Sequence, residues 1–154
     1  MNRRMLRLAA VALAFGAAVW PTGCAPGEIG TEAEACISWI YLETPADAVE
    51  QSDAVVRARV IDEAGTRPYE VLTSTTFTVE VDEWIKGSGE SEIVVASLPR
   101  SCGDTGDSMA DAAGGEPVVL FLRSTPEGWE TLTPFQGVVA PGPDGGAPEK
   151  WPEP

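Results

Sequence analysis

The sequence predicts a mainly β protein, a small five-stranded antiparallel β-barrel with one or two short helices, preceded by a signal peptide and followed by a disordered tail. Residues 75–87, TTFTVEVDEWIKG, alternate apolar and polar side chains with a period of two, as a strand with one buried face does. Shorter apolar runs, separated by Gly- and Pro-containing turns, lie on both sides of it. A closed barrel would leave no strand edge unpaired, and a two-sheet sandwich is the alternative.

The first 23 residues have the composition of a signal peptide. Three arginines within residues 3–7 precede an apolar run, residues 8–20, that is short for a membrane span. The run ends at Thr22-Gly23-Cys24, which resembles the processing box of bacterial lipoproteins, although Pro21 stands where that box usually has leucine. We therefore expect a cell-envelope lipoprotein, anchored outside the cytoplasm by acyl chains such as palmitate on Cys24. Ordinary cleavage and secretion is the alternative.

The next residues predict a tether and then the start of a folded domain. Residues 24–35 are mostly small or acidic and have no apolar period, so we expect a flexible tether. Residues 36–41, CISWIY, are apolar enough to pack as an extended segment. Thr44, Pro45 and Asp47 are typical of a helix N-terminus, because they favour the N-cap, the first turn and the positive end of the helix dipole. This short helix should end near residue 51 or 52.

The remaining elements complete the barrel. The expected strands cover residues 54–62, 75–87, 92–98, 118–123 and 129–133, with residues 135–140 as an extension. Residues 65–69 are expected to form a turn or loop, and residues 99–115 a long loop that carries Cys102. The domain then spans residues 36–140. The Pro- and Gly-rich residues 141–154 are expected to be a disordered tail.

Charge and composition exclude several classes of function. Removing residues 1–23 takes away three arginines and no acid, which leaves 7 Lys+Arg against 24 Asp+Glu and a net charge of −17. Such a surface repels nucleic-acid phosphates and anionic lipid headgroups, so membrane attachment should depend on the lipid. The chain has no histidine, which excludes Ser-His-Asp and Cys-His catalysis and histidine-ligated zinc. Lys86 and Lys150 are expected to be solvated.

A group of acids leaves one metal site open as an alternative. Asp104, Asp107, Asp111 and Glu116 lie within thirteen residues of loop, and oxygen ligands from such loops suit calcium. Their spacing does not match the EF-hand pattern, and we expect solvated acids here, with no metal and no cofactor.

The three cysteines have a consistent assignment. An odd number in an exported protein usually indicates a spare thiol. If Cys24 carries lipid, Cys36 and Cys102 remain as one pair in an oxidising compartment. A bridge between them would stabilise the domain by about 4 kcal/mol on the chain-entropy model.

Four short motifs occur in an order that resembles a known family. They are SDAVVRARV at 52–60, WIKG at 84–87, SCG at 101–103 and GEPVVLFL at 115–122. Together they resemble the netrin-like domain of the tissue inhibitors of metalloproteinases, and bacterial exported proteins with a similar core, over residues 36–140. The resemblance implies an OB-type five-stranded barrel. It also implies a disulfide between Cys36 and Cys102, since the family bridges an N-terminal cysteine to a cysteine that precedes a glycine.

The resemblance carries over the scaffold but not the inhibitory chemistry. The inhibitors bind the protease zinc through the free amine and carbonyl of their first cysteine. Cys36 follows residues 25–35, so its nitrogen is a peptide amide and a poor metal ligand, and Ser38 replaces the family's second cysteine. We therefore expect a non-catalytic protein-interaction or structural module. The alternative is an exported enzyme with a carboxylate-based site that the sequence does not reveal.

Overall fold

The computed structural model describes residues 36–152. The predicted signal peptide (1–23), the lipidation site Cys24 and the tether (24–35) lie outside the described residues, as do residues 153–154. The described chain is mainly β, as predicted. In chain order its elements are α1 (Pro45–Gln51), β1 (Ala54–Tyr69), β2 (Leu72–Lys86), β3 (Glu92–Ser97), α2 (Ser108–Ala112), β4 (Val118–Thr125), β5 (Gly128–Thr131) and β6 (Val138–Val139). Neither helix within residues 36–152 is long and apolar enough to cross a membrane.

Five of the six strands form a ring. The order in the sheet is β1-β2-β3-β5-β4-β6, and β1 also pairs with β4. β1 pairs antiparallel with β2 along its length and with β4 through residues 54–58. The contact between β3 and β5 is parallel and short, through Val95 and Ala96 of β3. The five predicted strands are therefore present, and β6 adds a sixth beside β4.

The β1–β2 hairpin is longer than the sequence predicts. Residues 65–69, expected to be a loop, continue β1 and pair with β2 as far as Tyr69 opposite Leu72. The turn consists of only two residues, and Glu70 there has a positive φ of 49°. Pro68 is tolerated because, among the described residues, no strand pairs with the other edge of β1 beyond residue 58. The hairpin therefore extends beyond the ring.

Apolar side chains form two separate clusters, one inside the ring and one outside it. The inner cluster contains the inward side chains of β1, β2 and β3 with Leu120 and Leu122 of β4, and it is completed by Met109 of α2, which is fully buried. The outer cluster contains Val55, Val119 and Phe121 together with Leu42 and α1. β4 therefore contributes side chains to both clusters, which explains its unbroken apolar run. Val94 of β3 is 54% exposed, so β3 is buried on one face only.

Helix α1 begins where the sequence predicts. Thr44 Oγ1 accepts a hydrogen bond from Asp47 N at 3.2 Å, and Asp47 Oδ2 accepts one from Thr44 N at 2.9 Å, which forms a complete capping box. The helix ends at Gln51, as expected, but the contact at its C-terminus was not predicted: Lys86 Nζ donates to the carbonyl oxygens of Val49, Glu50 and Ser52 at 2.8, 3.1 and 2.5 Å. The expectation of a solvated Lys86 is therefore wrong. Its ammonium satisfies carbonyl groups that the helix leaves unpaired.

The tail also differs from its prediction as far as residue 152. The Trp151 ring packs edge-on against Phe121, with ring centroids 5.9 Å apart, and Trp151 Nε1 donates to the Leu42 carbonyl at 2.9 Å. Ala147 packs against the same outer cluster. The aromatic body and the N–H donor of Trp151 thus help to hold this Pro- and Gly-rich segment against β4.

We predict that Trp151→Ala lowers the free energy of unfolding by about 2 kcal/mol, because it removes aromatic packing and a hydrogen bond. Chemical denaturation measures the change. Pro152→Ala, at an exposed neighbouring position, is the matched control and should change the value by less than about 0.5 kcal/mol. Equal stability of both variants and the parent would show that the tail does not pack.

Candidate functional site

The segment of residues 36–42 has no regular secondary structure, yet it is fixed at both ends. Cys36 and Cys102 lie at disulfide distance, with Cα atoms 4.8 Å apart, which agrees with the predicted pair. Beside them, Ser101 Oγ accepts a hydrogen bond from Ile37 N and lies 3.0 Å from Ile37 O as well. These contacts fix the first two residues of the segment to the loop that follows β3.

The other end of the segment is fixed by Gln136. Its Oε1 accepts from Leu42 N and its Nε2 donates to Leu42 O, each at 2.8 Å, and both bonds are buried. Leu42 itself belongs to the outer apolar cluster. A side-chain amide that pairs with both backbone groups of one residue defines the position of that residue as a strand partner would.

Two large apolar side chains project from this fixed segment. Ile40 is 69% exposed and Tyr41 is 72% exposed. The preceding Trp39 packs on Tyr69 of the β1–β2 hairpin, with ring centroids 5.7 Å apart. The backbone that carries Ile40 and Tyr41 is therefore held before any partner arrives, which lowers the entropy cost of binding through them. We call residues 39–41 the presented segment.

Shallow grooves adjoin the presented segment. One groove is lined by Trp39, Ile40 and Tyr69, and a second by Ile40 and Leu42; Arg123, Leu132 and Thr133 line both of them. Ile40 therefore stands between two depressions that could receive side chains of a partner. The lining is mostly apolar, with one guanidinium, as is common at the centre of protein–protein interfaces.

A buried carboxylate forms an ion pair with Arg123, which lines both grooves. Glu130 on β5 is only 3% exposed, and it lies between two arginines. Arg67 of the hairpin donates to Oε2 at 2.5 Å, and Arg123 of β4 donates to Oε1 through both Nε and an Nη atom. The bond to Glu130 is the main reason that the pKa of Arg123 is raised above its ordinary value. This ion-pair network ties the hairpin to the β4–β5 edge.

The Glu130 network was not predicted from the sequence, although half of it has a sequence signal. Arg123 and Glu130 are direct cross-strand partners in a hairpin whose turn consists of residues 126 and 127, and this two-residue turn sets the register that pairs them. Arg67 lies 63 residues away from Glu130 in sequence, and no local pattern connects the two. Both carboxylate oxygens accept hydrogen bonds from arginine, which favours a structural role for Glu130 over a catalytic one.

Two of the four acids within residues 104–116, Asp104 and Asp107, form contacts within the protein. Asp107 caps α2 by accepting from Met109 N at 2.9 Å and Ala110 N at 3.2 Å. Asp104 Oδ2 lies 3.4 Å from Arg100 Nη1. Within residues 36–152, no group of three or more cysteine, aspartate or glutamate side chains is arranged to hold a metal ion.

Comparisons with known proteins found no match for this chain. No protein-family model matches the chain, no curated protein matches its sequence, and no solved structure matches its fold.

We predict that Glu130→Gln lowers the free energy of unfolding by about 3 kcal/mol, since it leaves two guanidiniums without their carboxylate. This is the low end of the range for a buried ion pair, because Arg123 is half-exposed. Thermal and urea unfolding measure the effect. Glu127→Gln, three residues earlier and exposed, removes the same charge and should be nearly neutral. A loss of similar size in both variants would contradict the role given to Glu130.

Proposed function

We propose that this protein is a cell-envelope lipoprotein whose netrin-like domain acts as a non-catalytic protein-interaction module. Three features support the netrin-like, OB-type reading. The ring has five strands, and α2 lies between β3 and β4, as fits a small closed barrel of this kind. The Cys36–Cys102 pair links the N-terminal segment to the loop after β3, which supports the resemblance.

The presented segment is the observation that carries the interaction function. Exposed aliphatic and aromatic side chains are common in soluble proteins when they are single and mobile. Here Ile40 and Tyr41 are adjacent, and their backbone is fixed on one side by the cysteine pair and on the other by Gln136. Rigid aromatic anchors of this kind supply much of the binding energy of protein interfaces.

The alternative function, an exported enzyme with a carboxylate-based site, has less support. The most buried carboxylate among the described acids, Glu130, has both oxygens engaged by arginines. Asp107 is engaged by α2 and by Ser97 Oγ, at 2.6 Å. A general base needs an oxygen directed toward a substrate, whereas both oxygens of Glu130 and Oδ1 of Asp107 are engaged within the protein.

The lipid anchor is a separate part of the proposal. We predict that the mature protein begins at Cys24 and carries acyl chains there, because the apolar run ends at Thr22-Gly23-Cys24. Mass spectrometry of the intact mature protein measures both the cleavage point and the added mass. Cys24→Ser should release the protein from membranes, whereas the parent should remain with them. Cleavage elsewhere, with an unmodified Cys24, would contradict the anchor and favour secretion.

We predict that a photo-crosslinking amino acid at position 41 captures a specific protein partner in cells that produce this protein. The same amino acid at Glu116, an exposed position outside the presented segment, is the matched control and should not capture it. Adding Ile40→Ser to the position-41 crosslinker should lower the yield by roughly tenfold, as expected when one interface anchor is lost.

The disulfide supplies a second arm of this experiment. Cys36→Ser with Cys102→Ser keeps Ile40 and Tyr41 but removes one of the two attachments of their segment. The yield from position 41 should fall because binding then has to order the segment. Equal capture from positions 41 and 116, or capture unaffected by Ile40→Ser, would contradict the proposed use of this surface.

A further inference from the structure

The outer face of the β1–β2–β3 sheet has an unusual combination of side chains. Inside the ring these strands bury Val60, Val79 and Val95. On the outer face the exposed side chains include two aliphatic ones, Val94 at 54% and Ile61 at 44% exposure. Exposed aliphatic side chains at the middle of a sheet face, remote from a hairpin turn, are candidates for contact with another molecule.

Two carboxylates face each other on the same surface. Glu80 of β2 and Glu92 of β3 are direct cross-strand partners, and both are exposed. Like charges directly opposite each other destabilise a sheet. Within residues 36–152, neither has an ion-pair partner: Arg59 lies opposite Glu80 on β1, but its guanidinium contacts Asp82 Oδ1 at 2.9 Å. The pair therefore weakens the sheet without a compensating contact inside the protein.

The aliphatic and acidic side chains lie in neighbouring rows. Thr78 of β2 is paired with Val94 on one side and with Asp62 on the other, and Glu80 with Glu92 forms the row two residues further along β2. Ile61 lies at the irregularity between Val60 and Asp62. The surface therefore presents an aliphatic strip bordered by negative charge on more than one side.

The charge of the rest of the protein favours a cationic occupant over an anionic one. All five arginines within residues 36–152 form ion pairs with acids of the same chain. The whole sequence has 24 acids against 10 basic residues. The field around the sheet is accordingly negative, and it attracts cationic groups over about 10 Å at moderate salt.

We infer that the outer face of β1–β2–β3 docks a basic, extended segment of a partner protein, one in which lysine or arginine and aliphatic residues stand two positions apart and therefore share one face. The cationic groups of such a segment lie against Glu80 and Glu92 and relieve their repulsion. The aliphatic residues between them cover Val94 and Ile61. In an extended segment, alternate side chains share one face, so basic and aliphatic residues two apart can follow neighbouring rows of the sheet.

Calorimetric titration with a short, capped peptide rich in lysine and leucine tests this inference at low salt. The double variant Glu80→Gln with Glu92→Gln should bind the peptide about tenfold more weakly than the parent. The control double variant Glu116→Gln with Glu127→Gln removes the same net charge at exposed positions outside this face, and its affinity should change by less than about twofold.

Two further measurements separate binding from folding and from bulk charge. The Glu80→Gln, Glu92→Gln variant should have a higher Tm than the parent, because the like-charge pair is removed, so weaker binding is not a result of unfolding. A peptide with serine in place of leucine should bind the parent more weakly. Equal losses in both double variants, no binding by the parent, or equal binding of the leucine and serine peptides would each overturn the docking surface.

Discussion

The pairing of β1 on both of its edges is the constraint on which the rest of the structure depends. Over residues 54–58, β2 lies on one side and β4 on the other, so the sheet closes there. The closure divides the side chains of β1: Val56 enters the ring, whereas Val55 enters the outer cluster. That outer cluster also receives Leu42 and thereby fixes one end of the presented segment. The candidate site is therefore a consequence of how the ring closes.

Local patterns predicted the elements that local interactions determine. The period-two alternation that predicts β2 is contained within one short stretch of sequence, and so is the set of capping residues that predicts α1. Both elements are present. The β1–β2 extension was missed because Gly65 and Pro68 are typical of turns. Cross-strand pairing with residues 72–76 keeps them in a strand, and the unpaired edge of β1 removes the usual penalty of a proline.

Contacts between distant parts of the sequence could not be predicted in the same way. The tail has the composition of a disordered segment, yet Trp151 meets Phe121 and the Leu42 carbonyl, which lies 109 residues earlier. Lys86 was read as a solvated cation since nothing in its neighbourhood indicates the end of α1. The cysteine pair is the long-range contact that could be predicted, because cysteine parity restricts partners as no other residue count does.

The two proposed surfaces differ in the physical origin of their affinity. Ile40 and Tyr41 offer apolar area on a fixed backbone, and such contacts depend little on salt. The Glu80–Glu92 face acts mainly through charge, which directs encounter and selects the sign of the partner but weakens as salt screens it. All five arginines within residues 36–152 form internal ion pairs, including Arg123 beside the presented segment and Arg59 beside Glu80, so their charges are offset by acids of the same chain. A single partner that engaged both surfaces would combine electrostatic selection with apolar affinity, and raising the salt would slow its association more than it would speed its dissociation.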